Sequence, residues 1–330
     1  MCGIVGVWNR RSGERVDTSM LENMQSSLRH RGPDDAGVYT DRAIALGHRR
    51  LAILDRSPLG HQPMTTPDGR YTIVFNGEIY NFSELRTRPG VPEKLRSTSD
   101  TEVLLHLLAS EGQRALPLLR GMFAFALWDA ERRTLLLARD AFGKKPLYYA
   151  ETEDAFLFAS EPKALLAHPA VTTEIDPTAL PKYFLYEYVP APATIYRDIR
   201  QLPMGHVLEV TAATVRESVW WKPTFVPKIQ TRDADALTML DRALDTAVQR
   251  RMIADVPVGA FLSGGLDSSA ITWYMKRHAT GKIHTFSVSF YETSFDESSH
   301  ARSASRALGT THHELLFSVE QFHEALESVL

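Results

Sequence analysis

The residue with the clearest chemical potential is Cys2, which follows Met1 directly and is the only cysteine in the 330-residue chain. Removal of Met1 would leave a thiol and a free α-amine on one residue, so that the nucleophile carries its own base. The thiol and the amine titrate near pH ~8.5 and ~8, so a bridging water could pass the thiol proton to the amine. The resulting thiolate is the attacking form. Taken alone, Cys2 is better explained as a small, buried hydrophobic residue at the start of a strand than as a nucleophile.

Other polar residues in the first hundred positions could bind a substrate or stabilise charge in a reaction. Arg50 has a planar guanidinium with several N–H donors, so it could bind a carboxylate through two parallel hydrogen bonds. The Asn76-Gly77 pair ends a β-rich run, and a turn with positive φ would point its side-chain amide and a backbone N–H at one spot, as in an oxyanion hole. The alternative is an ordinary hairpin turn. Asp100 lies in Ser99-Asp100-Thr101-Glu102, a capping-box pattern, so its carboxylate would either favour the helix dipole or bind an ammonium group.

A second cluster of candidate residues lies in the loop of residues 263–269, between a predicted buried strand and a helix. Unpaired N–H groups at a helix N-terminus form an anion site, and glycines let a phosphate approach the backbone. The sequence therefore predicts that Ser263, Gly264, Gly265, Ser268 and Ser269 bind phosphate. Asp267 suits a magnesium ion that bridges phosphates. The sequence lacks G-x-x-x-x-G-K-[ST], so a Walker-type nucleotidase is not supported.

Composition narrows the class of protein. The net charge is −3, and 44% of the residues are hydrophobic. With these values the chain has no excess of positive charge, so we do not expect nucleic acid as a partner. No apolar run reaches the roughly 18 residues that a membrane span requires, and no signal peptide is recognisable. We expect a cytoplasmic protein with small substrates. A single cysteine excludes an internal disulfide and a cysteine-rich zinc site.

Hydrophobic periodicity predicts the elements that position these groups. Several strands are predicted in the first part of the chain, with helices at residues 19–29, 101–111 and 161–167. This pattern favours two stacked sheets between helical layers. Prolines recur from residue 169 to 227 and interrupt regular structure, and a hairpin at residues 207–210 and 215–221 closes the first domain. The boundary is therefore placed between Lys222 and Arg232.

The second part alternates strands with helices. A long amphipathic helix is predicted at residues 234–252. Strands at residues 258–262, 283–290 and 313–317 then alternate with helices at 270–277, 297–308 and 319–330. This order favours a parallel, doubly wound sheet, which binds ligands at the carboxyl ends of its strands.

Several separated motifs in this order resemble the glutaminase domain of class II glutamine amidotransferases. They are Cys2-Gly3-Ile4, Arg31-Gly32-Pro33-Asp34, Arg50-Leu51-Ala52-Ile53, Asn76-Gly77-Glu78-Ile79-Tyr80-Asn81 and Ser99-Asp100-Thr101-Glu102. The stretch from Arg139-Asp140 to Tyr148-Tyr149 narrows the resemblance to glutamine-hydrolysing asparagine synthetases. The resemblance implies an α+β four-layer αββα sandwich of the N-terminal nucleophile type at residues 2–222. It further implies an incomplete α/β parallel-sheet PP-loop domain at residues 233–330, the N-terminal part of a synthetase domain of the ATP pyrophosphatase type.

By the same resemblance, Cys2 attacks the glutamine carboxamide, while Asn76 and the N–H of Gly77 hold the oxyanion. The other residues implied in glutamine binding are Arg50 for the α-carboxylate, Glu78 and Asp100 for the α-ammonium, and the backbone of Ile53 and Leu54. Leu262 and Val288 would contact the adenosine of ATP, and the loop that contains Asp267 would hold its phosphates with Mg²⁺. The implied reaction amidates aspartate to asparagine, and family members often pair as homodimers.

A second glycine-acid loop, Ser-Gly-x-Gly-x-Asp-Glu, completes the nucleotide site in the family and does not occur in this sequence. We therefore expect the 330 residues to be a fragment of a longer chain. The alternatives to an asparagine synthetase are a glutaminase with a vestigial nucleotide domain, an amidotransferase for another carboxylate acceptor, and a non-enzymatic module that senses glutamine or ATP.

Overall fold

The computed structural model describes residues 1–290 and 296–329. The chain divides into two compact units, Met1–Phe225 and Val226–Leu330, which we call the N-terminal and C-terminal units. The strands of the N-terminal unit are β1 (Gly3–Asn9), β2 (Asp35–Asp41), β3 (Ile44–Arg50), β4 (Met64–Thr65), β5 (Tyr71–Ile79), β6 (Gly121–Asp129), β7 (Thr134–Arg139), β8 (Tyr148–Glu151), β9 (Ala155–Ala159), β10 (Ile199–Gln201), β11 (His206–Val210) and β12 (Val215–Val219). Its helices are α1 (Thr18–Ser26), α2 (Phe82–Leu85), α3 (Asp100–Glu111), α4 (Pro162–Leu166) and α5 (Ala179–Tyr186).

Two six-stranded antiparallel sheets form the centre of the N-terminal unit, in the orders β10-β8-β9-β1-β3-β2 and β12-β11-β7-β6-β5-β4. Side chains alternate across each strand, so every sheet has two apolar faces to bury. In β1, Trp8 packs between the sheets against Trp128, with ring centroids 5.1 Å apart. Val7 faces the opposite way, in a cluster with residues of α1 and α4. Helix α3 covers the outer face of the other sheet. The predicted order of helix, sheet, sheet and helix is therefore present.

The predicted turn at Asn76-Gly77 is wrong. Both residues lie inside β5, where Asn76 pairs with Ala124 and Gly77 with Phe123 of β6. Gly77 does not have a positive φ. Glycine is required there for a steric reason, because a Cβ atom would collide with the Met122 carbonyl oxygen and lie 2.8 Å from the Cα of Phe123. The local turn preference of Asn-Gly is overridden by pairing with β6.

The predicted capping box at the start of α3 is only half present. The hydroxyl of Ser99 accepts from the N–H of Thr101 at 3.1 Å, as an N-cap does. Glu102, however, does not reach back to Ser99. Its carboxylate accepts from the backbone N–H and the hydroxyl of Ser97, both at 2.7 Å. Glu102 therefore fixes the segment before the helix, and α3 begins at Asp100.

The C-terminal unit contains helices α6 (Asp233–Arg251), α7 (Leu266–His278), α8 (Ser298–Leu308) and α9 (Val319–Val329), and strands β13 (Gly259–Phe261), β14 (His284–Phe290) and β15 (Thr311–Phe317). The strands form a parallel sheet in the order β13-β14-β15, as predicted. The last residue of the predicted final helix, Leu330, lies outside the described residues. The apolar side of the amphipathic helix α6 is buried only towards its end: Val248 packs against Tyr274 of α7, whereas Leu237 and Leu240 are 66% and 54% exposed.

Candidate active site

Every residue predicted to bind or attack glutamine lines one cavity of about 140 Å³ in the N-terminal unit. These residues are Cys2, Arg50, Ile53, Leu54, Asn76, Gly77, Glu78 and Asp100. They come from the residue before β1, the end of β3 and the loop after it, the end of β5 and the first turn of α3. The cavity is also lined by residues that were not predicted, namely Met1, Leu51, Gln62, Phe75, Ser99, Thr101, Met122 and Lys145.

Cys2 is fixed on both its side chain and its backbone. Its sulfur accepts from the N–H of Leu51 at 3.4 Å and donates to the carbonyl of the same residue at 3.7 Å. The carbonyl of Cys2 accepts from the Nε of Arg31 at 2.9 Å, and Arg31 also pairs with Glu161 at 2.7 Å. Burial raises the pKa of the Cys2 thiol, and burial lowers the pKa of the adjacent Met1 α-amine. After removal of Met1, the α-amine of Cys2 can act as a base only in its neutral form.

The edge of β5 directs backbone N–H groups into the cavity. The backbone N–H and carbonyl of Phe123 bond to Asp140, so the Gly77–Phe123 pair does not exchange hydrogen bonds. In an antiparallel ladder, the N–H groups of alternate residues then face the other edge. On that edge the N–H of Phe75 donates to Gln62 at 2.7 Å, and the N–H of Ile79 donates to Asp100 at 2.8 Å. The Gly77 N–H lies between them and faces the same way.

The side chain of Asn76 has unusual surroundings. It is 1% exposed, yet within residues 1–290 and 296–329 neither its amide nitrogen nor its amide oxygen has a hydrogen-bond partner. Leaving buried polar groups unpaired costs about 1–3 kcal/mol each. Because the side chain lines the cavity, a ligand can supply the missing partner. Asn76 and the Gly77 N–H together can hold one developing oxyanion.

Arg50 shapes the loop that carries Ile53 and Leu54. Its guanidinium donates to the carbonyls of Leu54 at 3.0 Å and Ser57 at 3.3 Å, and to that of Asp55. A guanidinium has five N–H donors. The donors that these carbonyls do not use remain for a ligand carboxylate, because Arg50 also lines the cavity.

Glu78 and Asp100 are the carboxylates of the cavity. Burial, together with the nearby Glu78 charge, raises the pKa of Asp100 to about 7. Burial also raises the pKa of Glu78, while the charge of Lys145 lowers it. Two buried carboxyl groups that resist ionisation together favour a ligand that carries a positive charge.

Sequence reasoning missed the roles of Arg31 and Lys145. Arg31 belongs to a run of cations that reads as a solvated loop, but the structure buries it against the Cys2 carbonyl. Lys145 lies in the motif that follows Arg139-Asp140. That motif indicated the family but gave Lys145 no role of its own. The motif itself was the available signal, since it places a lysine beside a proline after a glycine turn.

The predicted nucleotide residues separate into two groups. Leu262, Ser263 and Val288 line a second cavity of about 130 Å³. Its other lining residues are Phe261, Phe286, Ser287, Glu297 and Ala301. Gly264, Gly265, Asp267, Ser268 and Ser269 do not line this cavity, because they form the turn before α7 and its first turn.

The turn before α7 is built on glycine. Gly264 has a φ of +84°, and a Cβ atom there would collide with the backbone of His300. The hydroxyls of Ser263 and Ser268 lie 3.0 Å apart across the turn, and Gly265 caps the helix. The exposed helix N-terminus fits an anionic ligand. No cluster of three or more His, Cys, Asp or Glu residues that could hold a metal occurs in the described part of the chain, so Asp267 could contribute only one ligand to an ion shared with phosphates.

Comparison with known proteins agrees with this geometry. Residues 1–221 match the glutamine amidotransferase domain family, and residues 239–330 match the asparagine synthase family. The chain is 34% identical to asparagine synthetase [glutamine-hydrolyzing] 3 of Bacillus subtilis, with 100% of this chain and 56% of the relative covered. It is also 34% identical to a putative asparagine synthetase [glutamine-hydrolyzing] 2 of Methanocaldococcus jannaschii, with 99% of this chain and 67% of the relative covered.

Among solved structures, the chain resembles the allosteric regulatory enzyme of purine biosynthesis, with a TM-score of 0.52, 17% identity, and 96% of this chain and 80% of that chain covered. This likeness concerns the fold. The chain spans about half the length of the first curated relatives it matches. Across all described residues, no helix is both long and apolar enough to cross a membrane. The family matches and the full-length similarity lead to one conclusion: the chain belongs to the family of glutamine-hydrolysing asparagine synthetases.

Proposed function

We propose that the chain hydrolyses glutamine to supply ammonia for the ATP-dependent amidation of aspartate to asparagine. Residues 2–222 would form the glutaminase domain, and residues 233–330 would belong to the synthetase domain. The observation that carries the proposal is the single cavity that brings Cys2 together with the unpaired amide of Asn76. The names of the relatives supply the acceptor and the nucleotide.

The first half of the reaction forms a thioester. After removal of Met1, the Cys2 thiol gives its proton to its own α-amine, and the thiolate attacks the carboxamide carbon. The carbonyl electron pair moves onto the oxygen, which accepts hydrogen bonds from Asn76 and the Gly77 N–H. The carbon–nitrogen bond then breaks, and the nitrogen takes the proton from the amine and leaves as ammonia. Water cleaves the thioester to give glutamate and the free thiol.

The other cavity residues would orient glutamine as a zwitterion. The free donors of Arg50 would bind the α-carboxylate, and the loop that Arg50 fixes would present the backbone of Ile53 and Leu54. Glu78 and Asp100 would bind the α-ammonium, which supplies the positive charge that two neighbouring carboxylates need.

The C-terminal unit would bind ATP. Leu262 donates its N–H to the Phe286 carbonyl at 2.8 Å, which fixes this part of the cavity wall. The adenosine would contact Leu262 and Val288 there. The phosphates would lie on Ser263, Gly264, Gly265, Ser268 and Ser269 at the α7 N-terminus. Bound Mg²⁺, held by phosphate oxygens and Asp267, would neutralise phosphate charge. A cytoplasmic location stays a prediction from composition, and a homodimer stays a prediction from the resemblance.

The test of the glutaminase is glutamate release from glutamine by the purified chain, with the loss of Met1 checked by intact mass. The chain should release glutamate, and Cys2→Ser should release none, because a serine hydroxyl is a far weaker nucleophile than a thiolate. Equal release by Cys2→Ser would remove Cys2 from its role. ATP binding is tested separately by equilibrium titration in the presence of Mg²⁺. Gly264→Ala should weaken it, because the turn requires a positive φ.

A further inference from the structure

A lysine of the cavity has no role in the mechanism above. Lys145 lines the same cavity as Cys2 and is 5% exposed. Within the described parts of the chain, its ammonium makes no hydrogen bond or ion pair that would explain its burial. Burying a charge is costly unless another charge compensates it. The position of Lys145 therefore needs a reason.

The structure holds Lys145 in place through two charged neighbours in the sequence. Arg139 donates to the carbonyls of Lys145 at 2.9 Å, Gly143 at 2.7 Å and Leu202 at 2.7 Å. Asp140 accepts from the N–H groups of Phe142, Lys144 and Lys145, each at 3.0 Å. Asp140 also accepts from the Phe123 N–H, opposite Gly77. The Asp140 carboxylate therefore holds both the loop that contains Lys145 and strand β6, which pairs with Gly77 of β5.

The other cations near the Cys2 sulfur are already engaged. Arg31 bonds to Glu161 and the Cys2 carbonyl, and Arg50 bonds to loop carbonyls. The α-amine must be neutral in order to accept the thiol proton. Lys145, Cys2 and Glu78 line the same cavity, so the positive charge of Lys145 acts on both acidic groups. The charged groups around this cavity are the N-terminal α-amine, Arg31, Arg50, Asp34, Glu78, Asp100 and Asp140.

We propose that the ammonium of Lys145 is the counter-cation of the Cys2 sulfur and stabilises the thiolate that attacks glutamine. This inference rests on the proposed glutaminase function and assigns it a further positioning residue. The burial of Cys2 alone raises the pKa of the thiol, and the positive charge of Lys145 acts in the opposite direction. Lys145 thereby offsets part of the rise in the thiol pKa that burial causes.

The test is the pH dependence of Cys2 alkylation by iodoacetamide without glutamine. Because Cys2 is the only cysteine, the intact mass reports on this thiol alone. Lys145→Met should raise the apparent pKa of alkylation by about one unit, which slows the reaction about tenfold at neutral pH. Lys145→Arg should retain the wild-type profile, since it keeps the charge. Lys144→Met is the matched control, because Lys144 is the exposed neighbour in the same loop and should leave the profile unchanged.

A Lys145→Met profile that coincides with that of Lys144→Met would overturn the inference, and so would an equal shift in Lys145→Met and Lys145→Arg. Thermal unfolding checks that each variant is folded at the assay temperature. Lys145→Gln, which keeps a polar side chain, replaces Lys145→Met if the latter is not folded. Glutamate release by the wild type is measured independently. Its absence would reject the glutaminase, whereas an unshifted alkylation profile with normal release would reject only the role of Lys145.

Discussion

The unpaired amide of Asn76 predicts an unusual separation of activity from stability. Asn76→Ala removes one donor from the oxyanion site, and the loss of such a donor typically lowers kcat by about 10²–10³-fold. The same substitution also removes a buried amide that has no partner in residues 1–290 and 296–329. Relief of unpaired polar groups is worth about 1–3 kcal/mol, which offsets the packing lost with the side chain. We therefore expect a free energy of unfolding equal to the wild type or higher.

Asn81 is the matched control for this prediction. It is also buried, but its amide donates to the Leu118 carbonyl at 3.0 Å and accepts from the Arg120 N–H at 2.8 Å. Asn81 does not line the glutamine cavity. Asn81→Ala should therefore lower the free energy of unfolding by about 2 kcal/mol, because both partners lose a hydrogen bond. Its kcat should remain within about threefold of the wild type, a change of less than 1 kcal/mol.

Both quantities can be measured on the same preparations, kcat by glutamate release and stability by urea unfolding. The reasoning is refuted if Asn76→Ala retains wild-type kcat. It is also refuted if Asn76→Ala is destabilised as much as Asn81→Ala, because its loss of activity would then reflect damage to the fold.

Further predictions concern groups around the same cavity. Arg31→Met removes the 2.9 Å bond to the Cys2 carbonyl and should lower kcat for glutamate release by about tenfold, with less effect on the KM for glutamine. Gly77→Ala should abolish glutamate release and lower the urea midpoint, because its Cβ would collide with the Met122 carbonyl. Burial raises the pKa of Asp100 from 3.8 to about 7. The protonated carboxyl therefore contributes stability that is fully present below pH 3.8 and is lost as the pH rises through 7. Urea unfolding at pH 5 and pH 8 should show Asp100→Asn gaining about 3 kcal/mol of stability over the wild type between the two pH values. A difference that is constant between the two pH values would contradict the shifted pKa.

The architecture follows from local patterns more readily than the site does. The strands and helices predicted in the first part, and the order of strand and helix after residue 258, predicted the stacked sheets and the parallel sheet. The Asn76-Gly77 turn failed because turn preference is a local property. Whether Gly77 lies in a turn or a strand is decided by pairing with β6, more than forty positions away.

The residues that motifs singled out for glutamine line one cavity, whereas residues whose positions depend on burial were missed. A lysine or arginine in a single sequence carries no sign of whether it is solvated. Arg31 is buried by contacts with Cys2 and Glu161, which lie 29 and 130 positions away in the chain. Lys145 enters the cavity because Arg139 and Asp140 fix its loop. The half-exposed apolar side of α6 has the same origin, since amphipathic spacing does not reveal how far along a helix its partner extends.

The central claim is that Cys2 acts as the N-terminal residue of the processed chain and hydrolyses glutamine. The most direct measurement is the rate of glutamate release by two preparations of the same sequence, one without Met1 and one that retains it, distinguished by intact mass. The account predicts that the preparation without Met1 releases glutamate and that the other is inactive, because its amine lies on Met1. Equal rates in the two preparations, or no release by either, would contradict the account.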